Sequence, residues 1–192
     1  MNDLNLKKLR EIAQQQYADA NCKYGDKEYI YHIDMVSNAI EEYQDVFINQ
    51  NDYINTYIAS FFHDSMEDAK QTYNNILAVS NKDVADIVLR VTDVPAENRL
   101  MKHLLTMGKT VEDHRSIILK MADIWANATF SKTSGGSMYA KYVQEYQYRK
   151  PIFQLGLKWY TEYLDQELLK DLWAELDFAH GVKGTYLKLK LE

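Results

Sequence analysis

Cysteine is almost missing from this chain. Cys22 stands alone among 192 residues, so no intrachain disulfide can form and a reducing compartment fits best. Proline and glycine are scarce too, at two and seven residues, leaving few of the breakers that punctuate strand-rich or loop-rich folds. No apolar run is long enough to span a bilayer, and the start, MNDLNLKKLREIAQQQ, has no signal-like apolar segment. The expected location is therefore the cytoplasm, with no membrane partner. A basic surplus is absent as well: the formal net charge is −6, and Lys and Arg are scattered among acids. Stable nucleic-acid binding, which needs clustered cations to neutralise phosphates, is not expected.

What the chain does have is the composition of a soluble globular domain, 46% hydrophobic, 26% charged and 12% aromatic. Its length suits one domain spanning 1–192 better than two. Apolar residues recur at helical spacing, as in Ile54, Tyr57, Ile58, Phe61 and Phe62, at i, i+3, i+4, i+7 and i+8. The expected fold class is all-α, a single-domain helical bundle. Beside the segment carrying that stripe, helices are expected at about 3–21, 30–46, 82–93, 97–107, 113–129, 139–166 and 167–178. Loops are expected at KYGDKE, SNKD, DVPAEN and SKTSGGS, with a kink or restart at Pro151. The terminal GTYLKLKLE alternates weakly, as a short strand or an extended tail would.

The chemistry concentrates in YIASFFHDSMEDAK, where an apolar helical run ends in His63, Asp64, Glu67 and Asp68. Such groups are costly to bury unless something pairs them. His32, beside the core-facing Ile33 and Val36, and Asp123, beside Met121 and Ala122, each lie at the edge of another apolar stripe. Two imidazoles and two carboxylates form a mixed nitrogen and oxygen set suited to Mn²⁺, Fe²⁺ or Zn²⁺ rather than Ca²⁺. With positions left open on the ion, hydrolysis of a phosphate ester or anhydride is the natural reaction. Glu67 follows His63 by four residues and Asp68 follows Asp64 by four, placing both where they can orient or deprotonate a water. Asn127, four residues after Asp123, would face the same cavity with an amide suited to a sugar or phosphate. His114, in the polar run VEDHRS, reads as a solvated helix-start residue, and His103 and His180 lack acids at helical spacing, so none receives a catalytic role.

The ordered set of His32, HDSMED and KMADIWAN resembles the HD-domain metal-dependent phosphohydrolases, and within them the RelA/SpoT-type alarmone hydrolases, especially the small single-domain, metazoan-type members. The pair Tyr29 and Ile30 before the first His, the VTD segment at 91–93 and the VQEY run at 143–146 fall in the family's order. This resemblance implies an HD fold with the metal site between helices, a metal and substrate core at about 10–155, and C-terminal helices at about 156–180. It implies Mn²⁺ held by His32, His63, Asp64 and Asp123, water activation by Glu67 and Asp68, and removal of pyrophosphate from the 3′ position of guanosine tetra- or pentaphosphate. It further implies that Asn127 touches the ribose region and that Tyr146 helps hold the nucleotide.

Departures from the family lie on the substrate side. Where it usually carries Arg-Lys before the first His, this chain has Lys23 and Tyr24. Lys23 supplies charge without a guanidinium's bidentate grip, and Tyr24 can stack but not neutralise phosphate. Ile33 and Ile124 replace a proline and a basic residue. None of these positions is a metal ligand. Two other readings therefore stay open: a nucleotidase or phosphatase on another nucleotide, including one with a 2′-phosphate, and a non-catalytic nucleotide sensor. Oligomeric state is left open.

Overall fold

Helix α8, His114–Thr133, has buried residues on nearly every side, among them Ile117, Ile118, Leu119, Met121, Ala122 and Ala126. A helix apolar all round must be enclosed by others, and α8 packs against α2 (Ile30–Glu42), α3 (Gln50–Phe62), α6 (Lys82–Val91), α9 (Tyr139–Leu157) and α10 (Gln166–Ala179). The computed structural model describes residues 3–182. The fold is all-α, completed by α1 (Asp3–Asp19), the single-turn α4 (Ser65–Asp68), α5 (Tyr73–Val79) and α7 (Arg99–Thr110). One continuous core joins Leu9 on α1 to Leu176 on α10. Among the described residues, no helix is long and apolar enough to cross a membrane. The terminal segment expected as a strand or tail lies outside the described residues.

Local chemistry sets where the helices begin. Asn49, Asn81, Asn98 and Asp113 each accept a hydrogen bond from a backbone N–H in the first turn of α3, α6, α7 and α8, satisfying donors that would otherwise be left unpaired. Thr72 and Asn75 cap α5 reciprocally.

Three departures from expectation bear on the site. The segment 23–28, expected as a loop, is a minimal antiparallel hairpin, β1 (Lys23–Tyr24) with β2 (Lys27–Glu28). Its turn needs Gly25, whose φ is +64° and where a Cβ would come 2.9 Å from the Phe130 ring. Helix α9 was expected to run to 166 with a kink or restart at Pro151; it does not restart there, passing through Pro151 as one helix, and it stops at Leu157. Burial of Phe153 and Leu157 beyond the proline, together with Gly156, where a Cβ would meet Val111 at 2.9 Å, holds that last turn against the core despite the lost N–H. Finally, the four-residue spacing of Glu67 and Asp68 would act as helical spacing only if α3 ran on past His63, whereas α3 ends at Phe62 and α4 restarts after Asp64.

Candidate metal centre

The apolar stripe of α3 drives His63 into the interior, because Phe61 and Phe62 are fully buried and the chain turns immediately after them. The first turn of α2 carries His32 to the same place, and the middle of α8 brings Asp123. His32, His63, Asp64 and Asp123 each offer one donor atom, all within 4.8 Å of one another. All but Asp64 are buried.

The hydrogen bonds decide which atoms face inward. The Nδ1–H of His63 donates to the Ser60 carbonyl oxygen at 2.8 Å, which leaves its Nε2 directed at the cluster. That Nε2 lies 3.1 Å from Nε2 of His32 and 3.0 Å from Oδ2 of Asp64. Nε2 of His32 lies 3.3 Å from Asp64 Oδ2 and 3.4 Å from Asp123 Oδ1. Two imidazole nitrogens and two carboxylates converge on one point, an arrangement that positive charge there, carried by ring protons or by an ion, stabilises.

The protonation equilibria say the same. Burial opposes charge on His32, yet hydrogen bonds to Asp123 and Asp64 outweigh it and raise its pKa to about 9. Burial likewise works against Asp64, but His63 and His32 hold its carboxyl well below the usual range. For Asp123, burial is overcome by Lys120 and His32, and its pKa is lowered. The donor set thus fits a divalent transition metal, which His32, His63, Asp64 and Asp123 could hold.

Around the ligands stands a set of braces. The Tyr29 hydroxyl lies 2.6 Å from Asp64 Oδ2 and 2.7 Å from Asp68 Oδ2, its single proton shared between the two carboxylates. Lys120, one turn before Asp123 on α8, places its Nζ 2.9 Å from Asp123 Oδ2. The Asn127 amide donates to Asp123 Oδ1 at 2.6 Å, and its carbonyl accepts from the Tyr24 hydroxyl at 3.1 Å. His32 lacks the usual polar brace, since its buried Nδ1 has no hydrogen-bond partner. Its ring is held by stacking on Tyr24, with centroids 4.6 Å apart, and Tyr24 rests in turn on Phe130. The hairpin therefore has a structural job at the metal centre.

Glu67 and Asp68 flank the cluster from α4. Burial, reinforced by Asp64 and Asp93 and opposed by Lys120, raises the Glu67 carboxyl to about 7. Its Oε1 accepts from the Asp93 backbone N–H at 2.7 Å. Burial and Asp64 also raise Asp68.

Not every expected residue joins this group. Lys23 is exposed and ion-paired with Glu28. Tyr146 is 1% exposed, stacks on His180 with centroids 4.0 Å apart, and donates to Asp177 at 2.8 Å, so its hydroxyl is turned to α10 rather than to a nucleotide. Tyr142, one turn earlier, lies near enough to Asp123 for the carboxylate to help burial raise its pKa. His114 is not solvated: it is 7% exposed, with Nε2 3.1 Å from Asp52 on α3.

Tyr29, Lys120 and Asp93 were visible only as parts of motifs. Of the three, the spacing of Lys120, three residues before Asp123, could have revealed its contact. Tyr142 left no signal of its own, because it shares a helical face with Tyr146.

No family model matches the chain, and no curated protein matches it. Among solved structures, the fold is similar to that of a metazoan ortholog of SpoT that hydrolyzes ppGpp and plays a role in starvation responses. The two are 15% identical, with a TM-score of 0.69 over 95% of this chain and 99% of that one. The resemblance noted in the sequence is thus met at the level of a shared all-α fold.

Proposed function

We propose that the chain is a divalent-metal-dependent phosphohydrolase acting on an alarmone-type nucleotide, releasing pyrophosphate from the 3′ position of guanosine tetra- or pentaphosphate. The observation that carries this reading is the convergence of His32, His63, Asp64 and Asp123, with Glu67 and Asp68 beside them, inside a fold shared with a ppGpp-hydrolysing protein. Mn²⁺ is the ion we assign to the four ligands, other divalent transition metals being compatible with the same donors. When bound, such an ion supplies Lewis acidity, acidifying a water and polarising a phosphoryl oxygen.

The remaining work falls to side chains. Glu67, raised to about 7, is poised to take a proton from the attacking water at neutral pH. Asp68, tied to Asp64 through the Tyr29 hydroxyl, orients that water. Lys120 offsets the negative charge around Asp123 and Glu67. Tyr24 offers a ring face for the base, and Asn127 becomes available to a ribose hydroxyl once Tyr24 releases its carbonyl.

A second reading, hydrolysis of a nucleotide with fewer phosphates, is favoured by one observation: Lys23, which stands at one of the two positions of the expected phosphate grip, is ion-paired with Glu28. Purified protein with Mn²⁺ and a panel of 3′-pyrophosphorylated, 2′-phosphorylated and 5′-phosphorylated nucleotides, with products resolved by ion-exchange chromatography, separates the readings. GDP plus pyrophosphate from guanosine tetraphosphate is the expected result. Inorganic phosphate from another nucleotide would replace this reading with a phosphatase, and tight binding without turnover would replace it with a sensor.

A further inference from the structure

Helix α7 is folded inside out. The residues it turns to the core are His103, Thr106, Met107 and Thr110, three of them polar. Its large apolar residues face solvent, with Leu100, Met101, Leu104 and Leu105 exposed by 50, 44, 39 and 47%. Leu89 on α6, whose carbonyl accepts from Lys109, flanks them at 44%. On a helix, 100 and 104 form one row and 101 and 105 the next, so these side chains make one continuous patch. Gly108 continues the row of Leu100 and Leu104, and a Cβ there would meet nothing within 4 Å. Isolated apolar residues on a surface are ordinary, whereas an amphipathic helix with its apolar face outward marks an interaction surface.

We propose that this face is the interface of a two-fold symmetric dimer, the occupant being a second copy of the chain. The spacing is the reason. Leu100, Met101, Leu104 and Leu105 are arranged symmetrically about the point between Lys102 and His103. Two α7 helices crossing antiparallel at that point place Leu100 against Leu105 and Met101 against Leu104 on both sides. A self-complementary patch is what an isologous interface requires.

Charge agrees with the same register. The exposed Glu97, just before the helix, falls beside Lys109 in the last turn of the partner copy, and Gly108 lets the backbones approach. The patch amounts to on the order of 400 Å² of apolar surface, the size of the largest and often functional patch on a typical monomer, roughly 300–600 Å². Two copies then cover about 800 Å² before the polar rim is counted, close to the roughly 1,000–1,200 Å² at which specific interfaces begin. An affinity in the micromolar range is expected.

Sedimentation equilibrium from about 1 to 100 μM tests the proposal. The full chain should shift from the 22.5 kDa monomer to twice that mass. Leu104→Glu should remain monomeric throughout, with unchanged helical circular dichroism, and Met101→Glu should do the same. Glu97→Lys should weaken association at least several-fold, and Lys109→Glu added to it should restore most of the loss. A wild-type chain that stays monomeric at 100 μM overturns the proposal, as does a dimer that survives both Leu104→Glu and Met101→Glu.

Discussion

Replacing Tyr29 by Phe removes one oxygen and nothing else from the brace around the metal centre. The ring that stacks on Tyr17, with centroids 4.8 Å apart, is retained. The lost hydroxyl stands within 2.6–2.7 Å of Asp64 and Asp68. Two contacts do not mean two full bonds, because a phenol has a single proton to give. The loss is therefore one hydrogen bond to a charged acceptor, worth roughly 1.5–3 kcal/mol. Asp64 is partly open, with 14% of its side chain exposed, so water recovers some of this and the lower half of the range applies.

At about 1.4 kcal/mol per factor of ten, Mn²⁺ affinity should weaken roughly 10- to 40-fold, within the range found for groups that orient metal ligands. Isothermal titration calorimetry at pH 7 measures it. Tyr73→Phe is the control, since its hydroxyl binds Asp86 at 2.8 Å, far from the ligands in sequence and in contact with none of them; it should leave affinity unchanged. A Tyr29→Phe dissociation constant within about twofold of wild type would show that the hydroxyl does not hold Asp64 for the ion.

Other outcomes follow from the same geometry. Tyr24→Ala should weaken metal binding by removing the ring that supports His32, whereas Tyr24→Phe keeps the stack and should bind normally; equal losses in calorimetry would contradict the stacking role. Gly25→Ala should destabilise the chain by about 1–2 kcal/mol in urea unfolding, from the positive φ and the clash with Phe130, and an unchanged midpoint would argue against it. Burial holds His103 and His180 at about 4, with Arg149 adding to the effect on both. Their stabilising contribution is complete above the unfolded value of about 6.5 and is lost as pH falls toward 4, roughly 3 kcal/mol per ring at most. Urea midpoints should fall steadily between pH 7 and 4.5, and a flat profile would mean that these rings are not held neutral.

The sequence made the candidate metal cluster legible because each member sits at the edge of an apolar stripe, and stripes are what helices display most clearly. His32, His63, Asp64 and Asp123 were singled out this way, and α2, the end of α3 and α8 bring their donor atoms within 4.8 Å of one another. What escaped was decided by contacts between elements. Tyr142 and Tyr146 occupy one face of α9, and only the arrival of α10, with Asp177 and His180, determines that Tyr146 is taken up in packing. His114 has polar neighbours in sequence, but Asp52 meets it from α3 and it is buried. The hairpin at 23–28 is too short to show an alternating pattern, and its stability comes from Tyr24 lying against His32 and Phe130. Helix α7 has a clear stripe that faces the wrong way for a monomer, which no reading of periodicity alone reveals.

The central claim is that four side chains from α2, the α3–α4 turn and α8 hold one ion that hydrolysis requires. Metal content after dialysis against Mn²⁺, measured by inductively coupled plasma mass spectrometry alongside pyrophosphate release, tests it most directly. The wild type should carry one ion per chain and release pyrophosphate from guanosine tetraphosphate, and Asp64→Ala and Asp123→Ala should lose both together. Pyrophosphate release that persists in either variant after its metal has gone would contradict the claim.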